Sequence, residues 1–325
     1  MMIKTKSKYT WEGWNSSGNE DWVFSVKHPC ELIGVHAKLI DKELKESEKI
    51  EYCVYSPRVS STSTPFGLKS EEASRGICVT DKRFIISEDR HVEGMEPKLT
   101  SINFKDIRYF NIGNALLLGW FSIHYRDADN SKDMIILFGS TGRHHFEKLI
   151  RSYKKYSPES RIDVYDIESY HPSSFIYNIK DNMHRDDLKK LVSSGERCVS
   201  TFLCKYLLGV IPKKRWFWGK REDIYLTNNA TVLQTNKSLL IARSGRDDSA
   251  GVAIDIMDIP LGKIESAAVS RDRMNNAMIY QLKISFSDKQ EPERLDIPLL
   301  DKDTNIGTFL LALTMSLNKY AEGMR

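Results

Sequence analysis

One series of segments occurs twice in this chain of 325 residues, and it restricts the fold more than any other feature. Residues 79–87 (VTDKRFIIS) have the form of residues 234–242 (QTNKSLLIA): Thr, one residue, Lys, then a short apolar run. About twenty residues later, residues 102–110 (INFKDIRYF) match residues 259–267 (IPLGKIESA). An apolar-x-apolar pair is followed three residues on by Ile107 in one and Ile264 in the other. WFSIHYRD and then DMIILFG follow in the first half, YQLKISFSD and then ERLDIPLL in the second. A repeated series of this kind implies one structural unit written twice.

The segments are four to eight residues long, alternating or continuously apolar and rich in Ile, Val, Phe and Tyr, so they read as strands. An amphipathic helix is expected to close each copy. Phe146, Leu149, Ile150 and Tyr153 share a helical face within 141–156, and Ile306, Phe309, Leu310, Leu313, Leu317 and Tyr320 do so in the second copy. Each copy also has a helical lead-in, 30–46 and 181–197.

Bent antiparallel sheets stoppered by one helix resemble the pleckstrin-homology superfold, particularly its GRAM-like and bacterial variants. The residues that carry the resemblance are a Glu-bearing turn before strand one (SEKIEY at 47–52, GERCVS at 195–200) and the start of strand two (TDKR at 80–83, TNKS at 235–238). SEKIEY lacks the Gly of that turn, and TNKS ends in Ser where the pattern has a cation. The resemblance implies an α+β fold of two PH-like bent antiparallel β-sheets or barrels, each closed by a C-terminal helix. The expected layout is an N-terminal extension with a helix (1–43), a first PH-like domain (44–158), a packed linker and helix (159–187) and a second PH-like domain (188–325). In the N-terminal extension, Trp11, Trp14 and Trp22 are expected to pin irregular chain.

The sharpest chemical feature is PKKRWFWGKR at 212–221, where five cations surround three aromatic rings. In PH-like folds the loop between strands one and two lies at the open end of the barrel. Where such domains bind phosphoinositides, that loop supplies the headgroup cations. Lys213, Lys214, Arg215, Lys220 and Arg221 occupy comparable ground, with Trp216 and Trp218 between them, although Glu222 and Asp223 follow and would repel a phosphate. In an extended arm the two tryptophans share one side. They suit a bilayer interface, a pocket on a partner, or the covering of a sheet edge beneath draped Lys stems. The corresponding stretch of the first copy, 58–75, is rich in Ser and Thr and has no such cluster.

A net charge of +4 is small for this length, so anion binding must be local rather than the global basicity of a duplex-DNA protein. Five scattered cysteines without a C-x-x-C pair point to a reducing compartment rather than a disulfide framework or zinc knuckle. The first eleven residues contain no apolar stretch suited to a signal peptide, and the most apolar run, 115–123, is about half the length of a membrane span. A cytoplasmic protein, touching a membrane only peripherally, is expected.

No catalytic motif emerges. HRD at 184–186 lacks the Asn that a kinase catalytic loop carries five residues later, and it reads as a solvated helix face. His144 and His145 diverge by about 100° on a helix and read as an exposed helix start. The expectation is a non-catalytic binding or scaffold protein with no cofactor and no metal. It would dock onto a protein partner or an anionic phospholipid surface, with self-association included in the scaffold reading. An enzyme with an interdomain site and a single-stranded nucleic-acid binder stay open as alternatives.

Overall fold

The computed structural model describes residues 9–11, 22–61, 70–90, 95–115, 117–128, 130–157, 179, 182–211, 224–244, 253–274, 277–286, 294–300 and 313. The chain divides into two compact units, Met1–Ser157 and Pro158–Arg325.

In the first unit, strand β1 (Tyr9–Trp11) is followed by β2 (Phe24–Val26), helix α1 (Val35–Glu43) and β3 (Ile50–Ser56). Two short strands, β4 (Val59–Ser61) and β5 (Ser70–Glu72), precede β6 (Ser74–Thr80), β7 (Arg83–Asp89) and β8 (Lys98–Asn103). After a 3-10 turn (Phe104–Asp106) come β9 (Ile107–Ala115), β10 (Leu118–Asp127), β11 (Asn130–Gly139) and helix α2 (Arg143–Tyr156). All pairings are antiparallel. One sheet runs β2-β3-β6-β7-β8, a second β9-β10-β11, and β4 pairs with both β1 and β5 in a third.

Helix α2 packs across the two larger sheets through an aromatic core. The Phe146 ring centroid lies 4.0 Å from Phe138 and 5.4 Å from Phe121, and that of Tyr153 lies 5.1 Å from Phe104 and 5.0 Å from Phe110. Each of these rings is at most 3% exposed, so the helix face read from sequence is the face that is buried. Gly119 on β10 leaves room for the Phe138 ring, whose Cε2 lies 2.3 Å from where a Cβ would stand.

In the second unit, helix α3 (Asn182–Leu191) leads to β12 (Cys198–Ile211), β13 (Ile224–Thr235), β14 (Ser238–Ser244) and β15 (Ala253–Pro260). A 3-10 turn (Leu261–Lys263) precedes β16 (Ile264–Met274), β17 (Ala277–Phe286) and β18 (Arg294–Leu300). The strands run β15-β14-β13-β12-β18-β17-β16, all antiparallel. Of the helix expected over 306–320, only Leu313 is described; it is helical and fully buried.

The Thr-x-Lys turns of the two units are hydrogen-bonded alike. The Thr80 hydroxyl accepts from the backbone N–H of Lys82 and Arg83, at 3.1 Å each, and that of Thr235 accepts from Lys237 and Ser238, at 3.1 and 2.8 Å. The Asp81 and Asn236 N–H groups donate to Lys49 O and Arg197 O, at 2.9 Å each. In return, the N–H groups of Lys49 and Arg197 donate to the side chains of Asp81 (3.0 Å) and Asn236 (2.7 Å). Short oxygen-bearing side chains suit such turns because they satisfy nearby backbone donors. The turn also holds the next element: Phe104 N–H donates to Lys82 O (3.1 Å), and Leu261 N–H to Lys237 O (2.8 Å).

Three expectations are corrected. No closed barrel forms among the described residues. In the first unit β2, from the N-terminal extension, lies along β3, and β9-β10-β11 is a separate sheet; in the second, β12 pairs with β18. The HRD segment is not a solvated face. His184 is fully buried with Nδ1 2.9 Å from Thr231 Oγ1, while Asp186 faces solvent. In the first unit His36 on α1, twelve residues before Glu48 as His184 is before Glu196, lies between Ser87 Oγ (2.8 Å) and Ser74 Oγ (3.1 Å). Trp22 does not pin the N-terminal chain, being 55% exposed.

Candidate functional site

Strands β12 and β13 remain paired to Ile211↔Ile224. Among the described residues their neighbours stop earlier: β14 pairs with β13 over Ala230–Gln234, and β18 pairs with β12 at Lys205 and Tyr206. Among the described pairings, Leu207–Ile211 and Ile224–Thr227 therefore pair only with each other. This two-stranded ribbon runs roughly 15 Å past its last pairing with β18. Lys213, Lys214, Arg215, Trp216, Trp218, Lys220 and Arg221 connect its two paired ends and lie outside the described residues, as do Glu222 and Asp223. So do residues 158–178 of the expected linker.

The end of β12 and β13 opposite this ribbon is well fastened. Thr235 Oγ1 donates to Glu196 Oε1 at 2.6 Å, and Glu196 Oε2 accepts from Ser193 N–H at 2.8 Å. Burial, with the Glu196 charge nearby, pushes the Cys198 thiol up to about 12, so it carries no thiolate at neutral pH. In the first unit the corresponding corner is an ion cluster. Arg83 donates to Glu48 (2.8 Å), Glu43 (2.6 Å) and Ser101 (2.8 Å). Burial opposes its charge, but the two carboxylates outweigh burial and hold its pKa above the ordinary value.

The equivalent stretch of the first unit is built differently: β4 and β5 pair with each other there, and β4 also pairs with β1.

A second cluster of the first unit joins β2, β3 and α2. The Tyr52 hydroxyl donates to His145 Nδ1 at 2.7 Å, and the ring also hydrogen-bonds the backbone of Val23. Val23 rests on Gly142, its Cβ 2.5 Å from where a glycine substituent would stand. His145 is thus a buried part of the helix start, correcting the expectation that both histidines are exposed; only His144 faces solvent. Burial, reinforced by His144 and Lys148, pushes its pKa down to about 4. The sequence carried a signal for this, since His145 precedes Leu149 by one helical repeat.

Residues 44–138 match the family model of the bacterial PH domain. The first unit is PH-like over that span, which contains β3 through nearly all of β11. No curated protein matches the chain. The PH-like span includes Tyr52, the Arg83 cluster and the Thr80 turn, whereas α1, α2 and Trp22 flank it. Among the described residues, no helix is long and apolar enough to cross a membrane, and no three His, Cys, Asp or Glu side chains gather as a metal site.

Proposed function

We propose that the chain is a binding and scaffold protein of two PH-like domains, 44–158 and 188–325, that docks peripherally onto an anionic phospholipid surface on the cytoplasmic side. Its contact is the segment Lys213, Lys214, Arg215, Trp216, Trp218, Lys220 and Arg221. A PH-like domain points to binding rather than catalysis in general terms. The observation that supports the reading is the register of β12 and β13, which among the described residues continues past the pairings of their neighbours and ends at this segment. The matched hydrogen bonds of the Thr80 and Thr235 turns support assigning both units to one architecture.

Five cations near an acidic bilayer contribute about 5 kcal/mol together, a weak attraction that interfacial Trp rings strengthen. The protein is expected to co-sediment with phosphatidylserine vesicles and not with phosphatidylcholine vesicles. Salt should weaken binding, and Trp216→Ala with Trp218→Ala should lower it at least tenfold, on the order of 1.4 kcal/mol. Equal behaviour on the two vesicle types would remove the membrane reading and leave a protein partner as the target.

A further inference from the structure

Helix α2 has one solvent-facing line. Arg143, His145, Phe146, Glu147, Leu149, Ile150, Ser152, Tyr153 and Lys154 are all buried, on both the core side and the flanks. His144, Lys148 and Lys155 are exposed and Arg151 half-buried, spaced so that they follow one another along the helix. The line is about 16 Å long. Its charge outside ion pairs among the described residues is of one sign. Glu147, the helix's one acidic residue, is buried against Arg143 at 3.0 Å. Glu51 engages Lys155 at 2.7 Å. Neither Lys148 nor Arg151 has an ion-pair partner among the described residues, and the Lys148 ammonium stands 5.5 Å from the Tyr52 ring centroid, its charge still facing solvent.

An aromatic residue is held at one end of this line. Val23 is fastened to the helix start by Gly142 and His145, and Trp22, the residue before it, is 55% exposed. The contact is not a strained loop tip, because Phe24–Val26 pairs with β3 directly afterwards.

We infer that the ridge His144–Lys148–Arg151–Lys155, together with Trp22, is a second docking surface, on the first unit, for an anionic phospholipid bilayer. Charge complementarity carries the choice of partner. A convex helical ridge recognises charge density rather than a shaped ligand, and an exposed Trp beside cations suits the headgroup layer. The inference extends the membrane reading but uses different residues, so the two can fail separately.

The test is sedimentation of the full chain with vesicles of phosphatidylserine and phosphatidylcholine in about a 3:7 ratio, against phosphatidylcholine alone. Lys148→Glu with Arg151→Glu should weaken binding at least tenfold, and Trp22→Ala severalfold, with unchanged circular dichroism. Lys38→Glu with Lys98→Glu makes the same change of net charge at exposed positions off the ridge and should leave binding within about twofold. If this control pair loses as much as the ridge pair, bulk charge is responsible and the ridge assignment is overturned. It is also overturned if the ridge pair binds like wild type while Trp216→Ala with Trp218→Ala abolishes binding; the reading of the second unit then stands alone. The reverse pattern retains the ridge and removes the ribbon segment. Absence of wild-type binding to acidic vesicles overturns both.

Discussion

His145 has little room for a second proton. Burial disfavours the charged ring and His144 and Lys148 repel an added charge, together outweighing the Val23 backbone hydrogen bond, which favours protonation, while Tyr52 hydrogen-bonds Nδ1. Its folded pKa, about 4, lies below the 6.5 of an unperturbed His. Between those values the unfolded chain binds more protons than the folded one, so acid favours unfolding. The stabilisation from this residue is complete above about pH 6.5 and is lost as pH falls to about 4. Urea unfolding across that window should show stability dropping with acid. In His145→Gln the drop should be shallower by up to one proton's worth of slope, and an unchanged slope would remove His145 as its source. The residues that could be read in advance were those acting locally. Thr80 and Thr235 bond backbone groups two and three residues away, so a four-residue string carries the turn. His145 and His184 act through partners ninety-three and forty-seven residues distant, and no string shows such a partner.

At the scale of elements, the junction of β10, β11 and α2 depends on a missing side chain. Phe138 is fully buried and stacked on Phe146, so its ring has nowhere to retreat from a Cβ on residue 119. Gly119→Ala is expected to cost about 1–3 kcal/mol by overpacking. Phe138→Ala alone should cost about 3–5 kcal/mol, and distinctly less in the Gly119→Ala background, because the two changes relieve one clash. Additive losses in denaturant titrations would show that the ring is free to move. Helix α2 and the longer strands were legible from periodicity, which reports burial on one face. The short strands β1, β2, β4 and β5 were not: each has three residues, too few for a period, and they exist because a neighbouring edge offers unpaired backbone groups.

At the scale of the whole molecule, the first unit holds its own core of Phe84, Phe104, Phe110, Phe121, Phe138, Phe146 and Tyr153 and ends just after α2. Residues 1–157 expressed alone should therefore fold, with a single cooperative thermal transition and native-like circular dichroism. A molten product, with secondary structure but no cooperative transition, would show that this core is insufficient by itself. The order of strands, the Thr-centred turns and the buried face of α2 follow from the sequence alone, because each depends on neighbours a few residues away or on a repeating apolar pattern. That β2 rather than β11 lies along β3, that His145 is buried while His144 is not, and that β12 and β13 outrun the described pairings of their neighbours was decided only in the tertiary structure. Edge pairing and burial depend on which distant backbone and side-chain groups arrive at the same place, and local spacing carries no record of that.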